Sequence, residues 1–311
     1  MKLQAISLFA GCGGSDLGMK LAGINPIWAN EIDSHACDFY ERVTGSSSIE
    51  NCDIRQIGSF PDADIVVGCY PCQGFSKGGR RKSDDDRNYL YREFDRALRQ
   101  VKPLAFIVEN VDAMGFRQNQ QLFRNQITRF RFAGYKVSHQ VLNAKDYGLA
   151  QDRRRIFIVG IRSDLNRRFI FPEVTHDDQN CKRKTLRDVI GHLPNPSPSD
   201  VNDQELHWYY LSRNRRRTWD QQSHCIVANA RHVTLHPSSP PLKRIGPDHW
   251  EFSTAGQHRR FSVQECALLQ GFPSPEVFAS DNLFRRYRAI GNAVPPPLFA
   301  AVARQLKKII H

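Results

Sequence analysis

Over residues 1–165 the chain alternates short apolar runs with stretches of helical spacing. The runs Ala5–Phe9, Ile27–Ala29, Asp64–Val67, Ala105–Val108, Lys136–Leu142 and Ile156–Ile161 have the length and composition of buried strands. Between them, Asp16–Leu21, Ser34–Val43, Tyr89–Val101 and Gln118–Phe132 read as helices. Such alternation restricts the fold to α/β, with a doubly wound, mostly parallel sheet. Sheets of this kind collect ligands at the carboxyl ends of their strands.

The alternation stops near residue 165. Residues 172–258 are rich in proline, histidine, serine and arginine, and segments such as LPNPSPSD and HPSSPPLKRIGPDHW resist helix formation. A second, smaller, loop-rich domain is expected there, with helical texture returning at Ser262–Gln270 and Pro295–Ile310. The net charge of +12 favours a polyanionic partner, nucleic acid first. The N-terminus runs directly into a strand, and its apolar stretch is too short for a secretory leader or a membrane span. Eight dispersed cysteines then read as reduced thiols of the cytoplasm. Cys69 and Cys72 spell C-x-x-C, a redox pattern or half a zinc site. No second pair stands at zinc spacing, and the segment after Cys72 does not open a helix as a redox pair requires.

The chemistry gathers in three places. GCYPCQGFS at 68–76 follows the run Ile65–Gly68 and presents Cys72 in a glycine- and serine-containing loop. ENV at Glu109–Val111 follows Ala105–Val108, and QDRRR at Gln151–Arg155 precedes Ile156–Ile161. A thiol, a carboxyl group and arginines at strand ends suit covalent chemistry on a polar planar substrate. FAGCGGSDLG at Phe9–Gly18 is a glycine-rich turn between a strand and a helix, a moderate sign of a nucleotide-like cofactor. It lacks the third glycine of a dinucleotide fingerprint, because position 16 is Asp. Glu31, after the second run, is placed to accept from ribose hydroxyls, and Asp53 in NCDI from an adenine amino group. The polar stretch Ser76–Asn88 reads as a loop able to close over a substrate.

These blocks, with RRFSVQECALLQGFP at Arg259–Pro273 and GNAVPPPL at Gly291–Leu298, resemble in content and order the DNA (cytosine-5)-methyltransferases along nearly the whole chain. The resemblance implies S-adenosylmethionine as cofactor, bordered by Phe9, Gly11, Gly13, Gly14, Glu31, Asp53, Ile54 and Pro71, with Asn292 closing the pocket. It implies Cys72 as nucleophile, supported by Gln73, with Glu109 at N3 of the cytosine, Arg155 at O2, and Arg153 bracing the thiol or a phosphate. It implies a catalytic and cofactor-binding domain over 1–175, completed by 285–311, and a target-recognition domain over 176–284. Leu268 departs from the family pattern, which often has arginine there.

LSRNRRRTW at Leu211–Trp219 and ANARHVTLHP at Ala228–Pro237 look like the recognition region of HaeIII-type enzymes, which modify GGCC. Arg213, Arg215 and Arg231 match the arginines expected to read guanines, with Ser76 a further DNA contact. The resemblance thus implies a monomeric, cytoplasmic, nucleoid-associated modification enzyme of bacterial, archaeal or phage origin. It would act on double-stranded DNA and share its target with a restriction endonuclease, without a metal or a membrane. A tRNA-methylating branch of the same family and an inactive DNA-binding protein are the competing readings. The Cys-Phe-Thr triplet of the former is absent, and the catalytic residues argue against the latter.

Overall fold

The strands β1 (Gln4–Leu8), β2 (Asn25–Glu31), β3 (Ile49–Asn51), β4 (Ile65–Gly68), β5 (Ala105–Val111), β6 (Tyr135–Asn143) and β7 (Arg154–Arg162) form one seven-stranded sheet in the order β3-β2-β1-β4-β5-β7-β6. The computed structural model describes residues 2–71, 89–279 and 282–310. Its helices are α1 (Gly14–Leu21), α2 (Ser34–Thr44), α3 (Tyr91–Val101), α4 (Gln120–Phe132), α5 (Leu186–Ile190), α6 (Val263–Gln270), α7 (Leu283–Asn292) and α8 (Pro296–Ile310). Two compact units result. The first holds Met1–Asn143, Arg154–Val174 and Val294–His311, and the second holds Ala144–Arg153 and Thr175–Ala293.

In the first unit β1 to β5 pair in parallel, and β7 is antiparallel to both β5 and β6. Strands covered on both faces must be apolar throughout, and every residue of β4 is buried. One face of α3 buries Tyr91, Phe94, Ala97 and Leu98, while Arg92 and Arg99 are exposed and Arg96 donates to the carbonyls of Ile54 and Ile57. The helix stops at Lys102, which adopts a left-handed conformation, and Pro103 follows. Edge-to-face contacts among Phe94, Phe106, Phe130 and Tyr135, at centroid separations of 5.1–5.7 Å, fill the core between α3, α4 and the sheet.

The antiparallel strand matters most for function. Val111 at the end of β5 lies opposite Arg155 near the start of β7. The beginning of β7 therefore reaches the same sheet edge as the carboxyl ends of β4 and β5. Strands β2, β5, β6 and β7 are longer than expected from sequence. β5 continues through ENV, so Glu109 lies inside a strand and not beyond one. β3 was not foreseen, because its three residues Ile-Glu-Asn carry no legible pattern, and Asp53 comes after it.

The C-terminal helix α8 returns to pack on α1. A Cβ at Gly14 would stand 2.2 Å from the Val294 carbonyl oxygen, and one at Gly18 2.8 Å from both Phe299 Cβ and the Pro296 carbonyl oxygen. Glycine at both positions lets the segment after GNA lie directly against the helix that opens the glycine loop.

The second unit is mostly irregular, as its composition implies. It contains α5, α6, α7 and the hairpin β8 (Leu242–Gly246) with β9 (His249–Phe252). α6 begins with a reciprocal cap between Ser262 and Glu265. Glu265 also holds the guanidinium of Arg259 through two hydrogen bonds of 2.8 Å. The unit runs on through α7 to Ala293 and takes in 144–153, whereas the resemblance implied a contiguous 176–284.

Candidate active site

Phe9, Gly11 and Gly13 all have positive φ, at 58°, 56° and 84°. Positive φ at these positions folds the chain into a tight turn after β1. The N–H of Gly11 donates to Glu31 Oε2 at 2.9 Å, and Oε1 of the same carboxylate accepts from Ile32 and Asp33 at 2.9 and 3.0 Å. Glu31 is thus fixed at the end of β2 beside the glycine turn. A Cβ at Gly11 would meet nothing within 4 Å, so the turn borders open space. Ile32, next to Glu31, is 66% exposed. Ile54, expected at the cofactor, is buried and belongs to the core cluster. Asp53 caps the turn after β3 by accepting from the Arg55 N–H at 3.0 Å, and its carboxylate receives the Arg55 guanidinium. That hydrogen bonding holds the Asp53 carboxyl below the usual carboxylate range.

At position 16, where the fingerprint glycine is missing, a carboxyl group is buried. Asp16 accepts from Tyr40 Oη at 2.9 Å and Ser15 Oγ at 3.0 Å. Burial pushes its pKa up to about 6 despite these bonds. The folded protein therefore holds this proton more tightly than the unfolded chain does. The contribution to stability is complete below about pH 4, the unfolded value, and is lost as pH rises through about 6. Urea unfolding between pH 4 and 7 should show this loss, on the order of 2 kcal/mol, in the wild type and not in Asp16→Asn. A difference between the two proteins that stays constant across this range would refute it.

Cys69 continues β4, its N–H donating to the Leu8 carbonyl at 3.2 Å. Burial raises its thiol well above the ordinary value, with Glu109 and Asp16 adding to the effect. A thiol held protonated is a poor nucleophile, so Cys69 is the inert member of the C-x-x-C pair. Asn110 Nδ2 donates to the Tyr70 carbonyl at 2.9 Å, and Tyr70 Oη donates to Gln126 on α4 at 2.7 Å. The lead into Pro71 is thus pinned by the middle residue of ENV. Pro71 is half-buried. Cys72, Gln73 and Ser76 lie outside the described residues, as does the rest of the stretch to Asn88.

Glu109 is 7% exposed. Its Oε1 lies 3.1 Å from Arg155 Nε, and Arg154 reaches Asp112 at 3.4 Å. Within QDRRR the alternate residues divide. Gln151 and Arg153 belong to the second unit, where Gln151 Nε2 donates to the Leu269 carbonyl and to Gln270 Oε1 at 3.0 and 2.9 Å, and its Oε1 accepts from Ile226. Arg153 is 2% exposed. Its Nη1 donates to the Ile226 carbonyl at 2.9 Å, and its Nη2 to the carbonyls of Gly291 and Ala293 at 3.0 and 2.9 Å. Bracing of a thiol or phosphate was expected of Arg153; besides these carbonyls, its Nη1 donates to Cys225 Sγ at 3.2 Å. Gly291 allows this packing, since a Cβ there would stand 2.3 Å from the Ala228 nitrogen. Asn292 follows it, exposed, at the end of α7.

Of the residues expected to read bases, Arg213 is exposed. Arg215 is half-buried and donates from Nε to the Tyr210 carbonyl at 2.9 Å. Arg231 is exposed and donates to Gln204 Oε1 at 3.1 Å. Arg216, in the same basic run as Arg215, is turned inward. It donates to the carbonyls of Ser239 and Pro237, both at 2.7 Å. No helix among the described residues is long and apolar enough to cross a membrane.

A mostly parallel seven-stranded sheet with a glycine turn after β1, an acid at the end of β2 and a carboxyl–guanidinium pair at the strand ends is the fold of S-adenosylmethionine-dependent methyltransferases. The S. pombe Dnmt2 methyltransferase shares it, with a TM-score of 0.72 at 20% identity over 99% of both chains. Residues 3–308 match the C-5 cytosine-specific DNA methylase family, to which the chain belongs, and the protein is a DNA (cytosine-5)-methyltransferase. It is 37% identical to the Type II methyltransferase M.MthTI of Methanothermobacter thermautotrophicus, over 99% of this chain and 98% of that protein. To M.BspRI of Lysinibacillus sphaericus it is 35% identical, over 98% of this chain and 81% of the relative.

Proposed function

We propose that the enzyme methylates C5 of the inner cytosine of GGCC in duplex DNA, with S-adenosylmethionine as methyl donor, in a restriction-modification system. The observation that carries the catalytic part is the Glu109–Arg155 contact of 3.1 Å at the edge where β4 leads into Pro71–Cys72. The GGCC target rests on the likeness of Leu211–Pro237 to a HaeIII-type recognition region. Exposed Arg213 and Arg231 are compatible with it. In this reading the second unit carries target recognition and the first carries catalysis.

The residues present fit the cofactor. The open space beside Gly11 accommodates a ligand against the backbone, and Glu31 is oriented to accept ribose hydroxyls. Phe9, Gly13 and Gly14 would line the same turn, and Asp53 and Pro71 would flank it. When bound, S-adenosylmethionine supplies an electrophilic methyl group. C5 of cytosine is a weak nucleophile. The Cys72 thiolate forms a bond to C6, which makes C5 enamine-like and drives negative charge toward N3 and O2. Glu109 shares a proton at N3, and Arg155 hydrogen-bonds O2. Once C5 carries the methyl group, removal of its proton by a base would break the C6–sulfur bond and release Cys72. C6 is hidden in a stacked duplex, so the cytosine must swing out, at a cost of a few kcal/mol. The stretch Ser76–Asn88 is suited by composition to cover it.

The enzyme works as a monomer in the cytoplasm in this reading. Bisulfite sequencing of plasmid from an expressing host should show protected cytosines within GGCC. Protection lying mainly elsewhere would overturn the target and leave the catalytic assignment in place. Methylation of tRNA in preference to duplex DNA would favour the competing branch of the family.

A further inference from the structure

We infer that Trp208 stacks on a nucleobase of the bound DNA, from an aromatic ledge on the second unit. The inference rests on the proposal that this unit receives duplex DNA. Trp208 is 81% exposed, more than any other large hydrophobic side chain among the described residues. It stands among other rings. The rings of His207 and Tyr209 lie nearly parallel, 8° apart in plane with centroids 6.2 Å apart. His232 packs against both, at 5.9 and 5.4 Å, and Trp208 meets Tyr209 edge-on at 5.8 Å.

Cations surround this ledge. The guanidiniums of Arg213 and Arg215 lie 5.9 and 6.0 Å from the Tyr209 ring. Arg215 and Arg260 each lie 5.0 Å from the ring of buried Tyr210. Arg213 and Arg215 have rings and a carbonyl as their neighbours, and no carboxylate pairs with either among the described residues. His232 is held below the ordinary imidazole range, by burial first and then by Arg215, which favours the neutral ring that stacks well.

The composition of this patch selects its occupant. A site for phosphate alone gains nothing from an indole in water, and a protein-docking site would not be ringed by cations without carboxylate partners. A flat π-face among arginines fits the face of a base unstacked from the duplex as the target swings out, while the arginines reach neighbouring base edges.

The test compares the full-length wild type with Trp208→Leu, Trp208→Phe and Arg213→Ala. Binding of a GGCC-containing duplex is measured across a salt series, with tryptophan emission recorded. Trp208→Leu should weaken binding by on the order of 10-fold with an unchanged salt slope, because a neutral stacking contact releases no counterions. Trp208→Phe should bind nearly as the wild type does, but the quenching of emission by duplex should disappear. Wild-type affinity in Trp208→Leu, or quenching that persists in Trp208→Phe, overturns the inference. So does a flattened salt slope in Trp208→Leu, which would mean that the indole only positions arginines. Arg213→Ala separates the two levels. If it weakens binding while Trp208→Leu does not, the reading of this unit stands and the stacking role falls. If neither variant changes binding, both fall.

Discussion

Replacing Cys72 with alanine should reduce methyl transfer to background while leaving duplex binding largely intact. The chain offers two thiols within one C-x-x-C, and they are not equivalent. Cys69 continues a buried strand, and burial holds its proton on. Cys72 follows the proline after that strand, in the glycine- and serine-containing segment. Only a thiol that can ionise and reach C6 serves the chemistry. A duplex with 5-fluorocytosine at the target should trap the wild type as a complex stable to denaturant, because fluorine cannot leave as a proton does. The alanine variant should give no trapped complex, whereas Cys69→Ala should still give one. Appreciable turnover by Cys72→Ala, or trapping lost only in Cys69→Ala, would reverse the assignment.

Glu109→Gln is expected to slow the chemical step by about 100-fold or more, the usual scale for losing a proton-transferring group. The amide keeps an acceptor for the Arg155 guanidinium, now 3.1 Å from Oε1, so the strand edge should hold its geometry. What it loses is the ability to pass a proton to N3. Single-turnover rates and calorimetry of S-adenosylmethionine binding make the check together. A large loss of rate with affinity changed by no more than a few-fold supports the assignment. Lost affinity with unchanged single-turnover chemistry would move Glu109 to the cofactor site.

Much of the first unit was legible because buried parallel strands must be continuous apolar runs, and those runs alternate with amphipathic helices. Glycines at Gly11 and Gly13 were legible for a related reason, since the turn they make needs positive φ. Other features were hidden because they depend on partners distant in sequence. β3 is too short to show a period. α7, with the sequence LFRRYRAIGN, buries only Tyr287, Ala289, Ile290 and Gly291, so its arginines mask the helical stripe. The division of QDRRR was equally invisible. Nothing in three consecutive arginines says that one is buried against carbonyls, one meets Asp112 and one meets Glu109. Arg216 shows the same limit from the other side, since a basic run that looks uniform contains a guanidinium spent on Ser239 and Pro237.

The second unit is assembled from two separate lengths of chain, 144–153 and 175–293. Its short length is tied in by Gln151 and Arg153, which bond to Leu269, Gln270, Ile226, Gly291 and Ala293. An exchange of specificity between two such enzymes by cutting at 176 and 284 would therefore transplant an incomplete module. It would pair a foreign α6 and a foreign Ile226 strip with the host's Gln151, Arg153 and GNA segment. Hybrids should tolerate exchange best when both lengths travel together, or when the host and donor agree at the residues facing Gln151 and Arg153. The practical seam for engineering new targets lies between Arg153 and Arg154, inside a motif that reads as one continuous run.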